Sequence, residues 1–205
     1  MDITNENYNE ENNIWKYEMR REMQEIIPGL FLGPFYCAKN LKLLEENHIT
    51  HILCITDTKE ENIIKPYLKG QFIYLVINAS DNPLEILIPH FQKVKNFINN
   101  ALYSNGKILI HSNASISRSP TFVIAYLMES NNISYEEAFK IVKSKRFCIK
   151  PNMGFELQLK EYEPIFKAKN NSNTNSEQTL RKSRKNHRRD NSDDDDSYDD
   201  DDEEY

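Results

Sequence analysis

The order of apolar segments in this chain predicts an α/β fold, with a central, mostly parallel sheet flanked by helices. Three observations carry that expectation. Segments with strand character alternate with segments of helical periodicity, as in layered α/β domains. Residues 50–56 form a near-continuous apolar run, as in a strand covered on both faces of its sheet. Finally, Ile108-Leu109-Ile110-His111 runs through a short polar loop into the periodic stretch Thr121-Phe122-Val123-Ile124-Ala125-Tyr126-Leu127-Met128. That is a strand, a loop and a helix start.

In chain order, residues 1–18 are rich in Asn and Glu, lack periodicity and are expected to be disordered. Met19-Arg20-Arg21-Glu22-Met23 leads into the domain. Gln24-Glu25-Ile26-Ile27 and Leu30-Phe31-Leu32-Gly33 flank Pro28-Gly29 and read as two short strands about a turn. Leu41, Leu43, Leu44 and Ile49 mark a short helix after Asn40. The strand at 50–56 follows, and 72–77 is expected to be another buried strand. His48 and His51 read as a helix-end and a strand-end residue, because no carboxylate or Cys partner stands at metal-ligand spacing. Leu87, Ile88, Phe91, Val94, Phe97, Ile98, Ala101 and Leu102 have helical spacing, and Asn105-Gly106 ends that helix. Beyond the loop, one helix is expected over about 118–130. Another follows Ser134, which forms a capping box with Glu137. A third follows Pro151 and carries Phe155, Leu157, Leu159, Tyr162 and Phe166.

Composition places limits on function. The chain has 205 residues, enough for one ordinary domain with segments to spare. No apolar run approaches a membrane span, and the start of the chain has no basic-plus-apolar signal. A soluble protein of the cytoplasm, the nucleus or both is expected. Cys37, Cys54 and Cys148 are odd in number and far apart, which fits a reducing compartment, with Cys54 a buried small hydrophobe. The net charge of −6 is unevenly spread. Residues 181–205 hold six of the 26 basic and eleven of the 32 acidic residues, leaving 20 and 21 before them. The body is therefore nearly neutral, which argues against nucleic-acid binding by it. The segment 169–205 is expected to be a disordered tail, first an Asn/Ser-rich linker, then basic, then acidic. Its basic run is read either as solvated or as a nuclear-import or docking element, and Ser192 and Ser197 as possible sites for an acid-directed kinase.

The loop carries the chemistry. A strand-loop-helix gathers unpaired N–H donors at the positive end of a helix dipole, and such a hollow attracts anions. Arg118 adds a planar, permanent charge suited to phosphate, and Pro120 is tolerated at the helix start. The His-x6-Arg spacing from His111 to Arg118 resembles the signature loop of the protein tyrosine phosphatases. Ser117-Arg118-Ser119 resembles the dual-specificity branch, as do Ile26-Ile27-Pro28-Gly29-Leu30-Phe31-Leu32-Gly33 and the segment from Phe147 to Leu159. The family's loop reads His-Cys-x-x-Gly-x-x-Arg. Here Ser112 stands in place of the Cys and Ser115 in place of the Gly.

That resemblance, over about residues 20–168, implies a single domain of the dual-specificity phosphatase kind, spanning 19–168. It implies a phosphate cradle of Ser112, Asn113, Ala114, Ser115, Ile116, Ser117 and Arg118, supported by His111 and Ser119, with no metal and no cofactor. Asp81, in Ala79-Ser80-Asp81-Asn82-Pro83, matches the family's general acid, and its other reading is a turn residue before Asn-Pro. The family's Cys attacks phosphorus as a thiolate. Ser112 offers a hydroxyl, whose pKa lies several units above that of a thiol and which needs a dedicated base. Hydrolysis by this route is therefore expected to be negligible. If the loop Gly has a positive φ, Ser115 strains or reshapes the cradle by about 1 kcal/mol or more. The segments His111–Ser119, Phe122–Tyr126 and Arg146–Ile149 are similar to pseudophosphatases of this branch that have also lost the nucleophile, there to Gly. Such a resemblance implies phosphorylated signalling partners, with MAP kinases foremost and an F-box ubiquitin-ligase subunit as another. Three readings follow. The chain is an inactive binder of phosphorylated partners, a residual phosphatase, or a scaffold that acts without phosphate.

Overall fold

The computed structural model describes residues 15–187, with side chains to residue 170. The chain divides into two compact units, Met1–Pro164 and Ile165–Tyr205, and the sheet lies wholly in the first. Five strands make that sheet: β1 (Gln24–Ile27), β2 (Leu30–Pro34), β3 (Ile49–Thr56), β4 (Ile73–Asn78) and β5 (Lys107–Ser112). Their spatial order is β1-β2-β5-β3-β4. β1 pairs antiparallel with β2 through the turn at Pro28-Gly29, and Gly29 supplies the positive φ of 81° that the turn requires. All other pairs are parallel, so the mostly parallel sheet expected from sequence is what forms.

β5 is the middle strand. Ile110 pairs with Leu32 on one side and Leu53 on the other. Ile108, Leu109 and Ile110 are wholly buried, as a central parallel strand demands. β3 is buried along most of its length, and Cys54 sits within it with its thiol pushed up to about 12 by burial.

β4 corrects one expectation. Residues 72–77 read as a buried strand, yet Ile73 is 58% exposed and Val76 42%. β4 is the sheet edge with a neighbour on one side only, and Ile77 is its one fully buried residue. An apolar run reports propensity for a strand, not how many neighbours the strand acquires.

A short 3₁₀ turn (Tyr17–Arg21) precedes β1, with Tyr17 and Glu18 in the segment expected to be disordered and the rest in the lead-in. The helices are α1 (Phe35–Ala38), α2 (Leu41–Glu46), α3 (Ile88–Tyr103), α4 (Arg118–Asn131), α5 (Tyr135–Lys145) and α6 (Met153–His187). Their starts follow local chemistry. Asn40 accepts the Leu43 N–H at 3.2 Å and begins α2. Ser134 and Glu137 bond each other's backbone N–H and begin α5 as a capping box. α4 is buried at every position from Arg118 to Glu129, so it is a core helix with no solvent face. The buried Glu129 is compensated by Lys95 Nζ at 2.8 Å and the Tyr162 hydroxyl at 2.6 Å. Helix α6 is described from Met153 to His187. Residues 1–14 and 188–205, with Ser192 and Ser197, lie outside the described residues.

The start of α6 positions the loop that carries Asp81. Gln158 accepts the Leu87 N–H and donates to Glu85 O, both at 2.7 Å. Gly154 lies so close to Pro83 that a Cβ there would run into the Pro83 carbonyl. Gly154→Ala is therefore expected to cost about 2 kcal/mol by overpacking, measured by urea unfolding. A variant as stable as the native chain would contradict this contact.

Candidate functional site

β5 ends at Ser112 and α4 begins at Arg118, so five residues make the turn between them. Their carbonyls all accept bonds from the surrounding protein. Asn113 O takes the Phe35 N–H at 3.0 Å, and Ile116 O takes the Lys150 N–H at 2.7 Å. Ser117 O takes the Thr121 hydroxyl at 2.8 Å. Ala114 O and Ser115 O take the Arg146 guanidinium at 3.2 and 3.1 Å. A planar trans peptide points its N–H opposite its C=O. With the carbonyls of 113–117 turned outward, the N–H groups of 114–118, which share their peptide planes, face the other way, and none donates a hydrogen bond among the described residues. Such a geometry at a helix N-terminus suits an anion.

Arg146 holds the cradle from behind. It is 0% exposed, and beyond the two loop carbonyls it donates to Arg20 O and Glu22 O, each at 2.9 Å, and to the Gln24 side chain. A buried guanidinium needs all its donors satisfied, and five oxygens surround this one. By resemblance Arg146 falls in the matching segment Arg146–Ile149, with no role given to it. Its partners lie from 31 to 126 residues away in sequence, so no local pattern reveals them.

Three buried serines line the floor. Ser119 Oγ lies 3.0 Å from Ser112 Oγ and 2.6 Å from Ser115 Oγ. Ser112 at the nucleophile position therefore bonds to a hydroxyl and not to a base. His111 offers no base either. Burial pushes its imidazole down to about 4, and its ring stacks on Phe35 with centroids 5.7 Å apart. Ser115 does have the positive φ that the sequence raised as a condition, at 56°. The left-handed region costs a non-glycine residue about 1–2 kcal/mol, and the short bond to Ser119 offsets part of it. The cradle keeps its form with the serine turned inward.

Arg118 is buried and its charge is met by Glu60, with Nη1 2.7 Å from Oε2. The other Glu60 oxygen accepts from Asn113 Nδ2 at 3.2 Å. Burial acts to raise the Glu60 pKa, but the Arg118 bond and charge outweigh it, so the carboxyl is held below its usual range. Arg118 Nη1 also lies 3.3 Å from Ala79 O, while its buried Nε has no hydrogen-bond partner among the described residues. Glu60 was missed in the sequence. It lies 58 residues before Arg118, in a polar segment after β3 with no motif to mark it. Asp81 contacts the loop through Ser117. Its Oδ1 accepts from Ser117 Oγ at 2.6 Å and Asn152 Nδ2 at 2.9 Å. It is thus tied into a structural clasp, since Ser117 Oγ in turn accepts the Asn152 N–H at 3.1 Å.

This geometry defines a phosphatase-type loop that has lost its nucleophile. Residues 30–165 match the dual specificity phosphatase catalytic domain, and the chain belongs to that family. It is 52% identical over 157 residues to the serine/threonine/tyrosine-interacting protein of Mus musculus, covering 76% of this chain and 70% of that protein. It is 39% identical over 141 residues to dual specificity protein phosphatase 22 of Mus musculus, covering 69% and 73%. Among solved structures, the human tyrosine phosphatase-like serine/threonine/tyrosine-interacting protein superposes with a TM-score of 0.70. That match has 51% identity and covers 71% of this chain and 98% of the other. With Ser112 at the nucleophile position and this likeness, the chain is an inactive member of the family, a pseudophosphatase. The residual-phosphatase reading is left without a nucleophile or a base.

Two outcomes check the site. Gly tolerates a positive φ that Ala does not, so Ser115→Gly should be more stable than Ser115→Ala by about 1 kcal/mol in urea unfolding. Equal stabilities would contradict the backbone conformation. The Glu60–Arg118 pair should stabilise the chain above the ordinary Glu pKa and lose that contribution as pH falls through the depressed value. The stability gap between native and Glu60→Gln chains should therefore close on acidification, and a gap constant from pH 7 to pH 3 would contradict the pairing.

Proposed function

We propose that this chain is a phosphate-reading pseudoenzyme. It binds phosphorylated signalling proteins through the 112–118 cradle and regulates them by holding them rather than by dephosphorylating them. One observation carries the reading. The loop turns its N–H groups away from its bonded carbonyls, the buried Arg118 Nε has no hydrogen-bond partner among the described residues, and Ser112 offers no attack on what binds there. Serine lacks the thiolate's negative charge, so a phosphate dianion meets no like charge at position 112. His111 stacks on Phe35 and Ser119 bonds the hydroxyls of Ser112 and Ser115, contacts that support this reading. Proteins of the MAP-kinase type are the leading partners, an inference from the resemblance of the loop and closing segment. Such partners place the chain in the cytoplasm, the nucleus or both. No helix among the described residues is long and apolar enough to cross a membrane.

Phosphate entering the cradle competes with Glu60 for Arg118. The affinity therefore contains the cost of breaking that ion pair, and the resting site is gated by its own carboxylate. A second reading rests on the same contact. If Glu60 never yields Arg118, the domain acts as a phosphate-independent scaffold, for example in ubiquitin-ligase regulation through an F-box subunit.

Fluorescence anisotropy with a phosphorylated MAP-kinase activation-segment peptide and its unphosphorylated form separates the two. The native chain should bind the phosphorylated form alone. Arg118→Ala should weaken binding at least about tenfold, and Glu60→Gln should tighten it. No aryl phosphate should be turned over by the native chain. Binding indifferent to both phosphate and Arg118 would establish the scaffold reading.

A further inference from the structure

A second hollow opens beside the cradle, about 250 Å³ in volume, lined by Arg20, Arg21, Pro34, Tyr36, Ala114 and Ile116. It shares a wall with the loop itself. Ala114 and Ile116 face outward there, while Ser115 and Ser117 between and beyond them face inward and are buried. A peptide seated in the cradle thus reaches this hollow within a few residues.

The two arginines are placed, not trailing. Arg20 and Arg21 end the 3₁₀ turn Tyr17–Arg21. The Arg146 guanidinium binds Arg20 O and Glu22 O with the same fork that binds Ala114 O and Ser115 O. Cys37 Sγ donates to Arg21 O at 3.3 Å, and Gln24 donates to Met19 O at 2.8 Å. One buried cation therefore fixes both walls of the hollow in register. The Arg20 guanidinium lies 3.9 Å over the Tyr17 ring, which limits its motion. Neither arginine forms an ion pair among the described residues. The rest of the lining is apolar: Pro34, Ala114, Ile116 and the ring of Tyr36, which is 65% exposed.

Two uncompensated guanidinium groups over an apolar floor suit one kind of occupant, an apolar side chain with a carboxylate beside it. We propose that this hollow is a second peptide-binding site, taking an acidic and apolar stretch of the same partner whose phosphate lies in the cradle. The inference rests on the phosphate-reading role proposed above and adds a selection rule to it. The cradle reads the phosphate, and Arg20 and Arg21 read the sequence around it. Long-range attraction of acidic partners follows as well, and it weakens with salt.

Anisotropy with three synthetic peptides tests this on the full chain. The first is a phosphopeptide flanked by Asp, Glu and Leu, made in phosphotyrosine and phosphothreonine forms. The second has its acids replaced by Asn and Gln, and the third is the first without phosphate. The native chain should prefer the acidic over the neutral phosphopeptide by about fivefold. Arg20→Gln with Arg21→Gln should erase that preference and leave the neutral phosphopeptide's affinity unchanged. Tyr36→Glu, which sets a carboxylate at the exposed rim without touching either arginine, should erase it too. A preference that survives both variants would overturn the proposal, as would equal weakening of both phosphopeptides. If the third peptide binds as well as the first, with the arginine-dependent preference intact, the phosphate reading fails and this site stands. The two failures are therefore read separately.

Discussion

The buried guanidinium of Arg146 is the interaction on which the rest depends. It joins the loop carbonyls of Ala114 and Ser115 to the lead-in carbonyls of Arg20 and Glu22, at distances from 2.9 to 3.2 Å. By satisfying the outward carbonyls it keeps the loop's N–H groups facing inward. By holding the lead-in it brings the two surface arginines to the rim. No apolar side chain could substitute, because four backbone acceptors would lose their donor. The form of the loop and that of the neighbouring hollow are thus consequences of one cation.

The charge balance of the cradle explains Glu60. A loop of inward N–H groups at a helix N-terminus, with a buried arginine, is a strongly positive place. In the family's working enzymes a thiolate supplies one negative charge there. Ser112 supplies none, and its hydroxyl joins a neutral relay with Ser119 and Ser115. The carboxylate of Glu60 meets Arg118 instead, and Asn113 steadies its second oxygen. Glu60 thus supplies the negative charge that faces Arg118 in this chain.

How much of this was legible in the sequence depended on the range of the signal. The α/β class, the turn at Pro28-Gly29, the Asn40 cap, the Ser134–Glu137 box and the cradle itself all lie in short windows, where periodicity and capping chemistry act. The loss of the nucleophile was legible in one residue, and the backbone condition at Ser115 followed from the Gly it replaces. The edge position of β4 was not legible, because strand neighbours are set by sheet topology and not by the strand's own residues. Glu60 and the role of Arg146 were hidden for the same reason. Their partners come from segments distant in the chain, and single ionic residues carry no periodicity.

The central claim is that the loop remains an anion cradle although its chemistry is gone. Backbone amide NMR during titration with inorganic phosphate tests it most directly. The account expects saturable shifts at the amides of 113–118 and at Arg118 Nε, with the Glu60 carboxylate resonance moving as its ion pair opens. Shifts confined to surface amides, with Arg118 and Glu60 unmoved at saturating phosphate, would contradict it.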